Sequence, residues 1–168
     1  MVPTADSAAA DRLSDASVAR LVKASLLVLF SYVFLANAWM GDDAYITYRV
    51  VWNWVHGYGL TFNPDERVQA YTHPLWMLAT SAAHVVTREF FFTGTALSWA
   101  FDIATLVVLM RWARTGPRAA VLVVWLLTSK AFVDYTSSGL ENPLSYFLVA
   151  LFYTRYLDRP RGSVADAR

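Results

Sequence analysis

Two adjacent carboxylates, Asp42 and Asp43, are the side chains of this sequence whose type and spacing point most directly to chemistry. Neighbouring acids repel, so such a pair is comfortable when solvent reaches it, or when a metal, an arginine or a charged ligand shares it. It can take a proton from a hydroxyl, and it can hold a hard divalent cation such as Mg2+ or Mn2+ through oxygen. The same residues also suit a plain helix start, with Asp42 as N-cap and Asp43 near the positive end of the dipole. Further polar side chains follow at Arg49, His56, Tyr71, His73 and, much later, Glu141. Arg49 is placed either to pair with Asp42 or Tyr45 on its own helix or to meet a ligand. His56, just before Gly57, is either a ligand contact or a helix C-terminal residue favoured by the dipole.

Composition narrows what these residues can serve. Of 168 residues, 57% are hydrophobic and 15% aromatic, and the apolar ones come in blocks, which implies an integral membrane protein. A formal net charge of +1 gives no reason to expect nucleic acid as a partner. With no cysteine, a disulfide framework, a thiolate zinc site and a thiol nucleophile are all excluded. Three histidines without HxxxH or HExxH spacing argue against a dedicated transition-metal cage.

The elements that must position the acids can be read in order. Residues 1–19 are small and polar and read as a flexible cytosolic tail. Arg20 and Lys23 then precede an apolar run to Met40, long enough to cross a bilayer. The rival reading of that run is a secretory signal, because Ala36-Asn37-Ala38 has the form of a cleavage site. From Asp42 to His56 the pattern is an amphipathic helix lying on the membrane surface. Asp42, Tyr45, Arg49, Asn53 and His56 share one stripe; Ala44, Thr47, Val50, Val51 and Trp54 share the other. Gly57 ends the helix. Residues 60–63 and 67–71 read as two short strands around Pro64-Asp65-Glu66, a small hairpin, and Pro74 restarts a helix.

Residues 75–86 are apolar but short, as in an interfacial helix, and His84 there reads as a packed histidine. Spans are expected at about residues 20–40, 94–112, 118–134 and 142–157, followed by a cytosolic tail at 158–168. Asp102 lies inside the second; either it has a function, as intramembrane acids tend to, or Ser98 and Thr105 satisfy it. Lys130 and Asp134 are spaced to pair. Most Trp and Tyr residues read as membrane-belt anchors, with Tyr71 and Trp76 expected to line a groove. Four crossings put Arg20 and Lys23, Arg111, Arg114 and Arg118, and Arg155, Arg159 and Arg161 on one side, as the positive-inside tendency asks. The N-terminus is then cytosolic. The loop of residues 41–93, with interfacial helices at 43–56 and 74–87, shares the outer face with the loop at Ser137–Glu141, so acids of two loops can converge. The expected fold class is an all-α membrane protein of about four transmembrane helices, plus interfacial helices and the small hairpin.

The stretch GDDAYITYRVVWNWVHGYGLTFNPDERVQAYTHPLW, followed by DYTSSGLENPL, resembles the start of a GT-C glycosyltransferase, a multi-spanning membrane enzyme. The nearest groups are bacterial and include mycobacterial arabinofuranosyltransferases. The resemblance implies transfer of a sugar from a polyprenyl-phosphate donor to a glycan or lipid acceptor of the cell envelope. It places the chain in the bacterial inner membrane, working with inversion on the extracytoplasmic face. It implies that Asp42 or Asp43 is the catalytic base, the other holding that base, the acceptor or a divalent cation. Glu141 matches a second acidic position, and Arg49, His56 and His73 match polar positions suited to the lipid phosphate or the sugar. Enzymes of this type are several times longer, so the chain is expected to be an N-terminal part, a split half needing a second polypeptide, or a truncated form. The alternative from another class is a non-catalytic membrane subunit that binds a lipid-linked sugar or a partner protein.

Overall fold

The computed structural model describes residues 5–66 and 68–157 and contains seven helices there. These are α1 (Ala5–Ala36), α2 (Asp42–Val55), α3 (Pro74–Thr87), α4 (Phe91–Ala113), α5 (Gly116–Thr128), α6 (Lys130–Thr136) and α7 (Asn142–Leu157). Local chemistry explains their limits. α2 begins at Gly41 as N-cap, with Asp42 and Asp43 in the first turn, so glycine takes the cap position expected for Asp42. α3 starts on Pro74, whose missing N–H costs a first turn nothing, and ends where Arg88 turns left-handed at φ 56°. The Glu89 carboxylate opens α4 by accepting from the N–H groups of Phe91 (2.8 Å) and Phe92 (2.6 Å).

α4 packs along α7, α1 against α5, and α2 against α3. The main apolar core joins Leu26, Phe30 and Phe34 of α1 to Leu106 and Met110 of α4, Ala119 and Val123 of α5, and Phe132 of α6. Large apolar side chains elsewhere on these helices are exposed, among them Tyr32, Val121, Trp125 and Phe152. That is the arrangement of helices that face lipid rather than water.

Residues Asp15–Ala36 and Phe91–Ala113 are long and apolar enough to cross a membrane. The stretch expected as one span at 118–134 is instead two helices, α5 and α6, bent by 81°. The cause is the polar run Thr128-Ser129-Lys130. Ser129 adopts an extended conformation and its hydroxyl accepts from Phe132 N–H (3.3 Å), so it ends one helix and caps the next. α7, with 16 residues, is shorter than a typical span. The chain is therefore an all-helical membrane protein, with two spans of sufficient length and a third only if the bent pair counts as one.

Three further expectations are corrected. α1 starts at Ala5, inside the stretch read as a flexible tail, because alanine-rich sequence carries high helix propensity. The tail expected at 158–168 lies outside the described residues. No strand forms among the described residues of the 60–71 loop, so the hairpin is absent there; Arg67 lies outside them. Instead, side chains of α2 take the loop's carbonyls. Arg49 Nε donates to Phe62 O (2.8 Å), and Asn53 Nδ2 donates to Thr61 O (2.8 Å) and Phe62 O (3.0 Å). An isolated two-stranded ribbon is marginal, and these donors replace it. Asp102 is fully buried, yet neither Ser98 nor Thr105 satisfies it. Thr105 donates to Phe101 O, and the Ser98 hydroxyl and both Asp102 oxygens lack partners among the described residues.

Candidate functional site

The site is built where the loop before α2 meets the loop before α7. Gly41 N–H donates to Ser138 O (2.8 Å), directly beside Asp42. Trp39 Nε1 donates to Asp134 O (2.7 Å) and the Ser137 hydroxyl to Asn37 O (3.2 Å). Gly139 sits at the centre of this seam with φ 81°, a conformation glycine adopts at little cost. Its carbonyl accepts from Trp76 Nε1 (3.0 Å) and from the Tyr48 hydroxyl (3.4 Å). A side chain at position 139 would also run into Met40 and Ala44. Burial pushes the Tyr48 phenol up from its ordinary range, and Tyr45 and Glu89 add to the effect, so Tyr48 stays a neutral donor.

The acids stand at the head of this platform. Asp42 and Asp43 are both exposed, and Asp43 N–H donates to Asp42 Oδ1 (3.0 Å). Asp42 lines a groove of about 560 Å³ along α2, together with Tyr45, Tyr48, Arg49, Trp52 and Phe90. Asp43 is not among the residues lining it. Arg49 pairs with neither Asp42 nor Tyr45. It holds the loop through Phe62 O and Asn63 Oδ1 (3.2 Å), and its guanidinium lies 4.7 Å from the Phe62 ring centroid. Two of the five guanidinium donors are used in this way, leaving others for the groove it lines.

His73 and Glu141, sixty-eight residues apart, come together: His73 Nδ1 lies 3.1 Å from Glu141 Oε2. The other ring nitrogen, Nε2, lies 2.7 Å from the Thr47 hydroxyl on α2. With the Nδ1 proton on the carboxylate side, Thr47 donates to Nε2, giving a carboxylate–imidazole–hydroxyl chain across both loops. Thr47 is only 2% exposed, so its hydroxyl is closed to a substrate and serves as the tie that fixes His73.

The remaining expected residues are dispersed. His56 stacks on Trp52 at 4.1 Å and donates from Nδ1 to Trp52 O (2.7 Å), on the far side of Trp52 from Asp42's groove. Tyr71 is half-buried in the loop and does not line the groove, and its carbonyl accepts from Gln69 (2.9 Å). Trp76 was expected at a groove; it is fully buried, because its indole N–H is needed by the Gly139 carbonyl. Sequence reasoning missed Thr47, Tyr48, Trp52 and Phe90. Tyr48 had a signal in Tyr45, three positions back on the same helix; Phe90 gave none for its stacking on Tyr48 at 5.0 Å.

Among the described residues no three His, Asp or Glu side chains gather at a common metal-ligating position. Asp42 and Asp43 supply two carboxylates, which is the share of an Mg2+ shell that a protein commonly provides when a phosphate and water complete it.

No protein-family model matches the chain, and no solved structure matches it. Among curated proteins, it is 28% identical over 141 residues to a terminal beta-(1->2)-arabinofuranosyltransferase of Mycobacterium tuberculosis, which covers 77% of this chain and 22% of the relative. It is 31% identical over 121 residues to the enzyme of the same name from Corynebacterium glutamicum, covering 67% of this chain and 18% of the relative. The chain spans about a fifth of the length of these relatives, and the similarity to arabinofuranosyltransferases expected from its motifs is present.

Proposed function

We propose that the chain forms the acceptor-activating part of a membrane glycosyltransferase that moves an arabinofuranosyl unit from a polyprenyl phosphate to a cell-envelope glycan or lipid. The observation that carries this reading is the position of Asp42. It is an exposed carboxylate on the wall of an aromatic groove, on a helix clamped to a second loop, in a chain similar to arabinofuranosyltransferases.

In this reading Asp42 is the base, and Asp43, outside the groove, holds its neighbour or a cation. The acceptor hydroxyl gives its proton to Asp42 as its oxygen bonds the anomeric carbon. The bond from that carbon to the phosphate oxygen breaks, and configuration inverts. Arg49, with donors to spare, meets the developing phosphate charge. His73 and Glu141 hold the loops in register. An Mg2+ or Mn2+ on Asp42 and Asp43 would supply charge neutralisation for the leaving phosphate. In this reading the groove faces the extracytoplasmic side, which the positive-inside tendency supports through Arg20, Lys23, Arg111, Arg114 and Arg118 on the opposite one.

The test is transfer of labelled arabinofuranose from its polyprenyl-phosphate donor in membranes carrying the chain. Asp42→Asn is expected to lower the rate by about 10²–10⁴, and Asp43→Asn by less. Equal rates in Asp42→Asn and the native chain would remove Asp42 as base. Donor binding without transfer would favour a non-catalytic subunit.

A further inference from the structure

A second groove, of about 630 Å³, lies on the other side of the wall formed by Trp52 and Phe90. Its lining includes His56, His84 and Arg88 and no acidic side chain among the described residues. Both histidines spend one nitrogen inward: His56 Nδ1 on Trp52 O (2.7 Å), His84 Nδ1 on Glu89 O (3.3 Å). A carbonyl accepts, so each Nδ1 carries the proton, and each Nε2 is left without a partner among the described residues. His84 is only 6% exposed and is held flat on the Phe90 ring at 3.8 Å, so its free edge is fixed in direction. Arg88 makes no hydrogen bond or ion pair through its side chain among the described residues. Lys130, by contrast, pairs with Asp134, and Arg49 is tied to Phe62 and Asn63.

A plainer account of these basic groups is that they neutralise helix ends, since α2 and α3 both terminate here. Several of the terminal carbonyls are already taken. Trp52, Asn53 and Trp54 accept from the N–H groups of His56, Tyr58 and Gly57, Ala83 accepts from the Thr87 hydroxyl, and His84 accepts from Arg88 N–H. The adjacent Glu89 gives both oxygens to the start of α4. The Arg88 side chain donates to none of the terminal carbonyls among the described residues, so it and the two Nε2 edges are available to something else. The aliphatic side chains that line the groove with them, Val55 and Val85, are 41% and 57% exposed. A free cation and two acceptor edges, bordered by bare apolar surface, match an anion that carries hydroxyl groups and its own hydrocarbon.

We propose that this groove seats the headgroup of a phosphatidylglycerol-type anionic lipid, with Arg88 on the phosphate oxygens, the Nε2 atoms of His56 and His84 accepting from the headgroup hydroxyls, and Val55 and Val85 against the lipid body. The site is separate from the proposed transfer, because the groove that contains Asp42 is the other one.

Native mass spectrometry of the full chain in neutral detergent, with equal phosphatidylglycerol and phosphatidylcholine, tests this. The native chain is expected to retain phosphatidylglycerol roughly tenfold over phosphatidylcholine, as charge-assisted contacts of this kind imply. Arg88→Gln and His56→Gln, both at exposed positions, should each erase most of that preference, and Arg88→Lys should keep it. His84→Gln tests the buried edge, with the two exposed variants carrying the result if it misfolds. Asp42→Asn should leave retention unchanged, which separates this site from the transfer reading. Equal retention of both lipids, or an unchanged preference in Arg88→Gln and His56→Gln, overturns the proposal. Retention of polyprenyl phosphate but not phosphatidylglycerol overturns it too, and assigns the groove to the donor.

Discussion

The seam between the two loops and the interior of α4 are both buried and both polar, yet they treat their polar groups in opposite ways. At the seam, Gly139 O has two donors, Gly41 N–H has Ser138 O, and His73 is held at both nitrogens. Within α4, the Ser98 hydroxyl and both Asp102 oxygens have no partner among the described residues, and neither has the Thr80 hydroxyl on α3. A fully paired polar network fixes one geometry, whereas an unpaired buried group lowers stability without specifying anything. The seam is thus the part of the molecule built for placement, and it is the part that carries Asp42.

Four substitutions break or sharpen that contrast. Gly139→Val should do most harm, about 3 kcal/mol or more, since it combines a left-handed backbone with clashes against Met40 and Ala44. Loss of folded protein in detergent-solubilised thermal melts is the expected readout. Trp76→Phe should cost about 2 kcal/mol, from a lost buried hydrogen bond and lost volume, and a lowered Tm at unchanged expression would show it. Asp102→Val should act in the opposite direction and raise Tm, by about 1 kcal/mol in stability, because the variant no longer buries an unpaired carboxyl. A large destabilisation instead would mean that Asp102 has a partner and that the contrast is wrong. Lys130→Ala should change stability by about 0.5 kcal/mol or less, since its pair with Asp134 lies at the surface.

Much of this arrangement could be read along the chain where punctuation is local. Pro74, Gly57 and the acids of the first turn mark α2 and α3 because each acts on its own backbone. The Lys130–Asp134 pair, four residues apart on one helix, was legible for the same reason. Contacts decided by distant residues were not. Asn53 lay on the expected outer stripe of α2, but it is buried because the 60–71 loop folds back over it. Trp76 looked free for a ligand until Gly139, from the far end of the chain, took its N–H. The break at Thr128-Ser129-Lys130 was missed because three polar residues between apolar segments are too few to interrupt the pattern of a span, and the cap that Ser129 makes shows only in the fold. At the site, the convergence of the two loops could be anticipated from sidedness alone. The partner of Glu141 could not, because periodicity does not choose among His56, His73 and His84.

The elbow at Ser129 has a consequence for the surrounding lipid. α5 has 13 residues and rises about 20 Å, against a hydrocarbon thickness of about 30 Å, and α6 turns aside by 81° instead of continuing the ascent. Beside these two helices the bilayer must thin to relieve hydrophobic mismatch, or neighbouring protein must cover the shortfall. Thinning there would shorten the path a lipid-borne group travels to the rim.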